Sequence, residues 1–158
     1  MTTARPRRSR RVREREPSPP AVILVGTNVL LDAVLVRMQL AADAVSLLAA
    51  AARGDVEVVA TVHALATLDY VARKRIGAAA SRSAIVELMT MISVVEVGSD
   101  EVRYALSSAI PDFEDALHVA AARRAGARVI ATRDPADYKN SQIPALAPAA
   151  ALASAMAR

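Results

Sequence analysis

From residue 21 onward the apolar positions follow two alternating rhythms. AVILVG (21–26), VEVVA (56–60), VVEV (94–97) and RVIAT (128–132) are short runs rich in β-branched residues, the pattern of strands buried on both faces. The intervening segments have helical spacing. VLLDAVLVR follows an N-cap at Thr27-Asn28, with Asp32 and Arg37 as its polar positions. A second helix is expected over 40–53, stopped by Gly54-Asp55, and a third over 62–75, ending at Gly77. Residues 81–92 read as helix, and Asp100 opens a short one. Pro111-Asp112 begins another over 112–125 that Gly126 closes, and the Ala-rich stretch from Pro148 to Arg158 is the last. Strands alternating with helices predict βαβ units and a three-layer α/β/α fold, with a central, mainly parallel sheet of four or five strands. In such sheets chemistry collects beyond the carboxyl ends of the strands. That rule directs attention to Gly26-Thr27-Asn28, to Thr61 and its helix, and to Thr132-Arg133-Asp134.

The first twenty residues break this pattern. They hold seven Arg and two Glu, a net of +5, and the rest of the chain carries 13 basic and 14 acidic side chains, a net of −1, so the basic excess of the +4 chain resides in the first twenty residues. The segment is expected to be a disordered, solvated tail, with a non-specific nucleic-acid arm as the alternative, while residues 21–158 form one domain. The body itself is too acidic for a basic-surface RNA binder. It does not read as a secretory leader, because Thr27, Asn28 and Asp32 interrupt the apolar run, and no stretch is long and uncharged enough to predict a membrane span. The chain has no Cys, which excludes thiolate metal sites and a thiol nucleophile and favours a cytoplasmic protein. Aromatics make up 3% of the residues, too few for base-stacking platforms.

Four polar segments carry the candidate chemistry: VGTNVLLD (25–32), PDFEDALHVAAA (111–122), VIATRDPADY (129–138) and SQIPALAP (141–148). In this order and at these spacings they resemble the PIN domain, the ribonuclease fold of VapC-type toxins, over essentially residues 21–152. The resemblance implies a carboxylate cluster that holds Mg²⁺ or Mn²⁺ and activates water for attack on an RNA phosphodiester. It also implies a cognate antitoxin and a homodimer. Hard divalent cations want oxygen donors, lower the pKa of bound water and neutralise charge on phosphate. Carried over by position, the third acid of that cluster matches Asp115, with Asp112 beside it. The fourth matches Asp134, or Asp137 one turn later. Thr27 and Asn28 match the polar residues that orient the first acid and the attacking water.

Two positions depart from the family pattern. Gly26 stands where the first strand normally ends in Asp. The helical position of the second acid is Thr67, in LATLDYVARK, with Asp69 two residues on. The site is therefore expected to be depleted, leaving weak nuclease activity or, alternatively, a catalytically inactive PIN module that binds RNA or a partner protein. Each acid also has a structural reading. Asp112 and Asp115 are spaced as N-cap and N3 of a helix, and Asp134 before Pro135 is spaced as a cap with Asp137 at N3. Asp32 and Asp69 read as solvated or hydrogen-bonded helix residues, Arg133 as an ion-pair partner of the acids, and Arg73-Lys74-Arg75 as a solvated helix end. His63 and His118 fall on different helices without an acidic partner pattern, which places them outside the expected chemistry.

Overall fold

A computed structural model describes residues 18–36 and 38–157. Nearly all of the Arg-rich tail, residues 1–17, lies outside the described residues, as does Arg37. Five strands, β1 (Val22–Val25), β2 (Glu57–Thr61), β3 (Ser93–Val95), β4 (Val129–Ala131) and β5 (Ala145–Leu146), form one sheet in the order β3-β2-β1-β4-β5. Every pairing is parallel. The helices are α1 (Thr27–Leu35), α2 (Met38–Ala52), α3 (Val62–Ile76), α4 (Ala78–Leu88), α5 (Ser99–Ser107), α6 (Phe113–Arg124) and α7 (Pro148–Met156), and a 3-10 turn spans Pro135–Tyr138. This is the three-layer arrangement expected from the apolar pattern.

The central strands are buried on both faces because their side chains alternate between two cores. Ile23, Val25, Val58, Ala60, Val129 and Ala131 point into a core shared with α1, α2, α3 and α7. Leu24, Val59 and Ile130 point the other way, toward α5 and α6. Ile23, Leu24 and Ile130 are fully buried, and each removes enough apolar surface from water to stabilise the fold by roughly 2 kcal/mol. Among the described residues no single helix is long and apolar enough to cross a membrane.

Several boundaries differ from the sequence expectation. α1 ends at Leu35 rather than continuing to residue 37, because Val36 adopts a left-handed conformation (φ 48°) and its N–H closes the helix on the Asp32 carbonyl. α4 begins at Ala78, immediately after Gly77, whose φ of 86° turns the chain between α3 and α4. β5 has two residues, held by hydrogen bonds from Ile130 N–H to the Pro144 carbonyl and from Thr132 N–H to the Leu146 carbonyl.

Because all strands run the same way, their carboxyl ends share one edge. The chain builds β1, β2 and β3 outward on one side, then returns to place β4 on the other side of β1. The β1/β4 boundary is thus the point where strand order reverses, where open α/β sheets place their ligands.

Candidate active site

Two hydrogen-bonded networks meet at this edge. The first joins the ends of β1 and β4. Asn28 Nδ2 donates to Asp134 Oδ2 (3.0 Å) and to Thr132 Oγ1 (3.2 Å), and Thr132 Oγ1 also accepts from the Asp134 N–H (3.1 Å). Thr132 is buried while Asp134 is exposed, so a fixed hydroxyl and amide aim a solvent-facing carboxylate. Asp134 does cap the 3-10 turn in position, but its side chain makes no capping bond. Behind it, Arg133 Nη1 bonds the buried carboxylate of Asp32 at 3.2 Å. Asp32, Arg133 and Asp134 line a cleft of about 360 Å³ together with Leu40, Asp43, Ala147 and Pro148.

The second network joins the first residue of α1 to the start of α6. Thr27 Oγ1 donates to Glu114 Oε1 at 2.8 Å. Asp112 caps α6 by accepting from the Asp115 N–H (3.0 Å), as its spacing predicted, and the Asp115 side chain turns toward the 3-10 turn. There Tyr138 Oη donates to Asp115 Oδ1 at 2.7 Å, and the same hydroxyl lies 3.2 Å from His118 Nδ1. Burial raises the Asp115 pKa from its ordinary value, assisted by repulsion from Asp112, Asp137 and Glu114 and opposed by the Tyr138 hydrogen bond. Burial also pushes the Tyr138 hydroxyl upward, reinforced by its bond to Asp115, so it stays a proton donor.

The expected site residues therefore divide into two groups. Asp112 and Asp137 are each near enough to Asp115 to repel its charge, and Asp134 belongs with Asn28 and Thr132. Asp69 is occupied elsewhere: it accepts from Ser81 Oγ (2.8 Å), with Arg73 and Arg82 at 4.0 and 3.9 Å. Gly26 has an ordinary φ of −75°, and a Cβ there would sit 3.3 Å from the Ala131 carbonyl oxygen and 3.5 Å from Asn28 Oδ1. A side chain at the first-acid position would thus start beside the Asn28–Thr132 network.

The two histidines sit on different helices, α3 and α6, as expected from the sequence, but the fold brings them together. Both lie at this edge, with ring centroids 4.9 Å apart and planes inclined by 19°. His63 follows Thr61, which ends β2 and caps α3 by accepting from the Ala64 N–H at 3.1 Å. One ligand-type atom from each of His63, Glu114 and His118 can be chosen so that all lie within 4.8 Å of one another. Among the described residues, neither Asp115 nor Asp134 joins a group of three at that spacing. Burial lowers the His118 pKa to about 3, with His63 contributing and Asp112 opposing; burial lowers His63 too, against the pull of Glu114. The signals available in the sequence were Thr61, which marks a strand end, and the i, i+3 spacing of Asp115 and His118.

A family model for the PIN domain matches residues 22–136. A search of curated proteins returns no match. Among solved structures, VapBC2 from Rickettsia felis, bound to a DNA fragment from its promoter, aligns with a TM-score of 0.65 at 14% identity, covering 80% of this chain and 98% of that one. VapC20 from Mycobacterium tuberculosis, described as a toxin that cleaves the sarcin-ricin loop, aligns at 0.56 and 22% identity over 68% of this chain and 86% of that one. FitAB bound to the IR36 DNA fragment aligns at 0.56 and 18% identity over 80% and 94%. At these identities the structures share the fold. The family match runs from β1 into the 3-10 turn and takes in the first network and all of the second except Tyr138, and the chain belongs to the PIN domain family.

Proposed function

We propose that this protein is a VapC-like toxin, a Mg²⁺- or Mn²⁺-assisted endoribonuclease of the cytoplasm that is held by a cognate antitoxin and acts as a homodimer. The observation that carries the reading is the Asn28–Thr132–Asp134 network, built at the strand-order reversal of a PIN fold and flanked by the acids that open α6. The toxin–antitoxin complexes among its structural neighbours support the antitoxin partner.

Mg²⁺ needs only one or two carboxylates when substrate phosphates and waters complete its shell, so Asp115 and Asp134 are a sufficient though reduced set. Asp112 and Asp137 add negative charge beside Asp115. When bound, the metal would supply a more acidic water and offset charge on the phosphate. The chain's own residues set the rest. Asn28 and the Asp134 N–H–Thr132 bond fix Asp134, Thr27 holds Glu114, and Tyr138 fixes Asp115. With Gly26 and Thr67 in place of acids, cleavage is expected to be weak.

The test incubates structured RNA with the purified chain in Mn²⁺ or Mg²⁺, beside Asp115→Asn and Asp134→Asn. Slow cleavage lost in both variants supports the reading. Cleavage that persists in both overturns it. If the unaltered chain does not cleave but binds RNA or a partner protein, the inactive module that Gly26 favours becomes the function instead.

A further inference from the structure

Both histidines of the chain, separated along the sequence, stack against each other at the sheet edge, and their Nε2 atoms are buried without a hydrogen-bond partner. A buried polar atom without a partner is costly, and native structures rarely tolerate two side by side. His118 is only 2% exposed. Its tautomer follows from its neighbours. The Tyr138 hydroxyl donates its single proton to Asp115, so toward His118 it can only accept, and Nδ1 of His118 must carry the hydrogen. Nε2 of His118 is then left with a lone pair directed away from Tyr138. Glu114 is held in place by Thr27 and adds a carboxylate oxygen to the two imidazoles.

We propose that His63, Glu114 and His118 bind a divalent transition metal of the Zn²⁺ class, a site separate in chemistry from the oxygen-ligand Mg²⁺ or Mn²⁺ centre proposed above. Imidazole nitrogen suits Zn²⁺, Co²⁺, Ni²⁺ and Cu²⁺ and is a poor donor for Mg²⁺. Two His and one Glu are a known zinc ligand set that leaves a fourth position for water or a small ligand. His63 and Glu114 are half-buried while His118 is buried, so the open position lies on the solvent side of the group rather than in the core. The Asp115–Tyr138–His118 chain is the outer support that metal-bound imidazoles typically have, an acceptor on the far ring nitrogen that fixes ring orientation. The present ligand spacing, up to 4.8 Å, is wider than the roughly 3.4 Å between donors of a tetrahedral ion with bonds near 2.1 Å. Closing that gap takes small side-chain rotations of His63 and Glu114, the two partly exposed members.

The experiment measures binding alone and so stands apart from nuclease activity. Tag-free chain stripped with a chelator is titrated with Co²⁺, followed by visible absorption, and with Zn²⁺ and Mg²⁺ by calorimetry. One equivalent of Co²⁺ or Zn²⁺ is expected, bound at least about a hundredfold more tightly than Mg²⁺. His63→Gln and Glu114→Gln, both at partly exposed positions, should each weaken Zn²⁺ at least about tenfold, and Asp134→Asn should leave it unchanged. Circular dichroism verifies that each variant is folded. No Zn²⁺ or Co²⁺ binding at about 100 μM, or binding that is indifferent to both substitutions, overturns the proposal. RNA cleavage that fails while Zn²⁺ binding persists would remove the nuclease reading and leave this site intact.

Discussion

Lowering the pH from 7 to 5 should destabilise the fold through His118. The unfolded histidine titrates near 6.5, whereas burial beside His63 lowers the folded value to about 3. Between those values the unfolded chain binds more protons, so stability rises with pH; it is complete above 6.5 and is lost as pH falls. Each unit of separation is worth about 1.4 kcal/mol, so the loss is roughly 2 kcal/mol at pH 5 and about 4–5 kcal/mol by pH 3. His63, also lowered, adds in the same direction. Asp115 works the opposite way, because a raised carboxyl pKa makes the folded form take up its proton first and blunts the fall. Glu101 is lowered mainly by the Gly98 N–H, so its contribution is lost only as pH falls through the carboxylate range. With a urea slope of about 2 kcal/mol per molar, the midpoint of unfolding should drop by about 1 M between pH 7 and 5 in metal-free buffer. His118→Gln should be less stable at pH 7 and lose most of that slope. A midpoint unchanged across the range, or an equal fall in the variant, would refute the reasoning.

Three further substitutions test individual contacts. Gly26→Asp crowds the Ala131 carbonyl and should cost about 1–2 kcal/mol in thermal unfolding without metal. A carboxylate about 4 Å from a cation is worth about 4 kcal/mol, so calorimetry should find Mg²⁺ affinity raised by up to roughly a thousandfold. Tyr138→Phe removes the hydroxyl that serves both Asp115 and His118 and should cost about 1–3 kcal/mol in urea unfolding. Val36→Asn replaces a β-branched residue at φ 48° and should gain about 1 kcal/mol, read as a rise of about 2–4 °C in Tm.

Where burial dictates residue type, the fold could be read from the sequence. The runs at Val22, Val58 and Val129 are apolar on both faces because both faces are covered, and Gly77 and Gly126 mark turns that need positive φ. β5 was hidden because two residues between Pro144 and Pro148 have no period, and their pairing is supplied by β4. The site was legible in part. Strand ends located Asn28 and Asp134, and helix grammar gave the Asp112 cap. Helix grammar also suggested a side-chain cap by Asp134, but Asn28 takes that carboxylate instead. For the His63–Glu114–His118 group the sequence offers only the strand end at Thr61 and the Asp115–His118 spacing, because α3 and α6 are far apart along the chain and meet only in the fold.

The sheet's borders are short. β3 has three residues and β5 two, while the most deeply buried strands, β1, β2 and β4, lie inside. An outer strand of that length offers a foreign chain only a few free amides and carbonyls, too few to template a continuing ladder. A protein that is 54% hydrophobic therefore keeps its stickiest backbone out of reach. Association with other chains is left to helix surfaces, where side chains rather than backbone choose the partner.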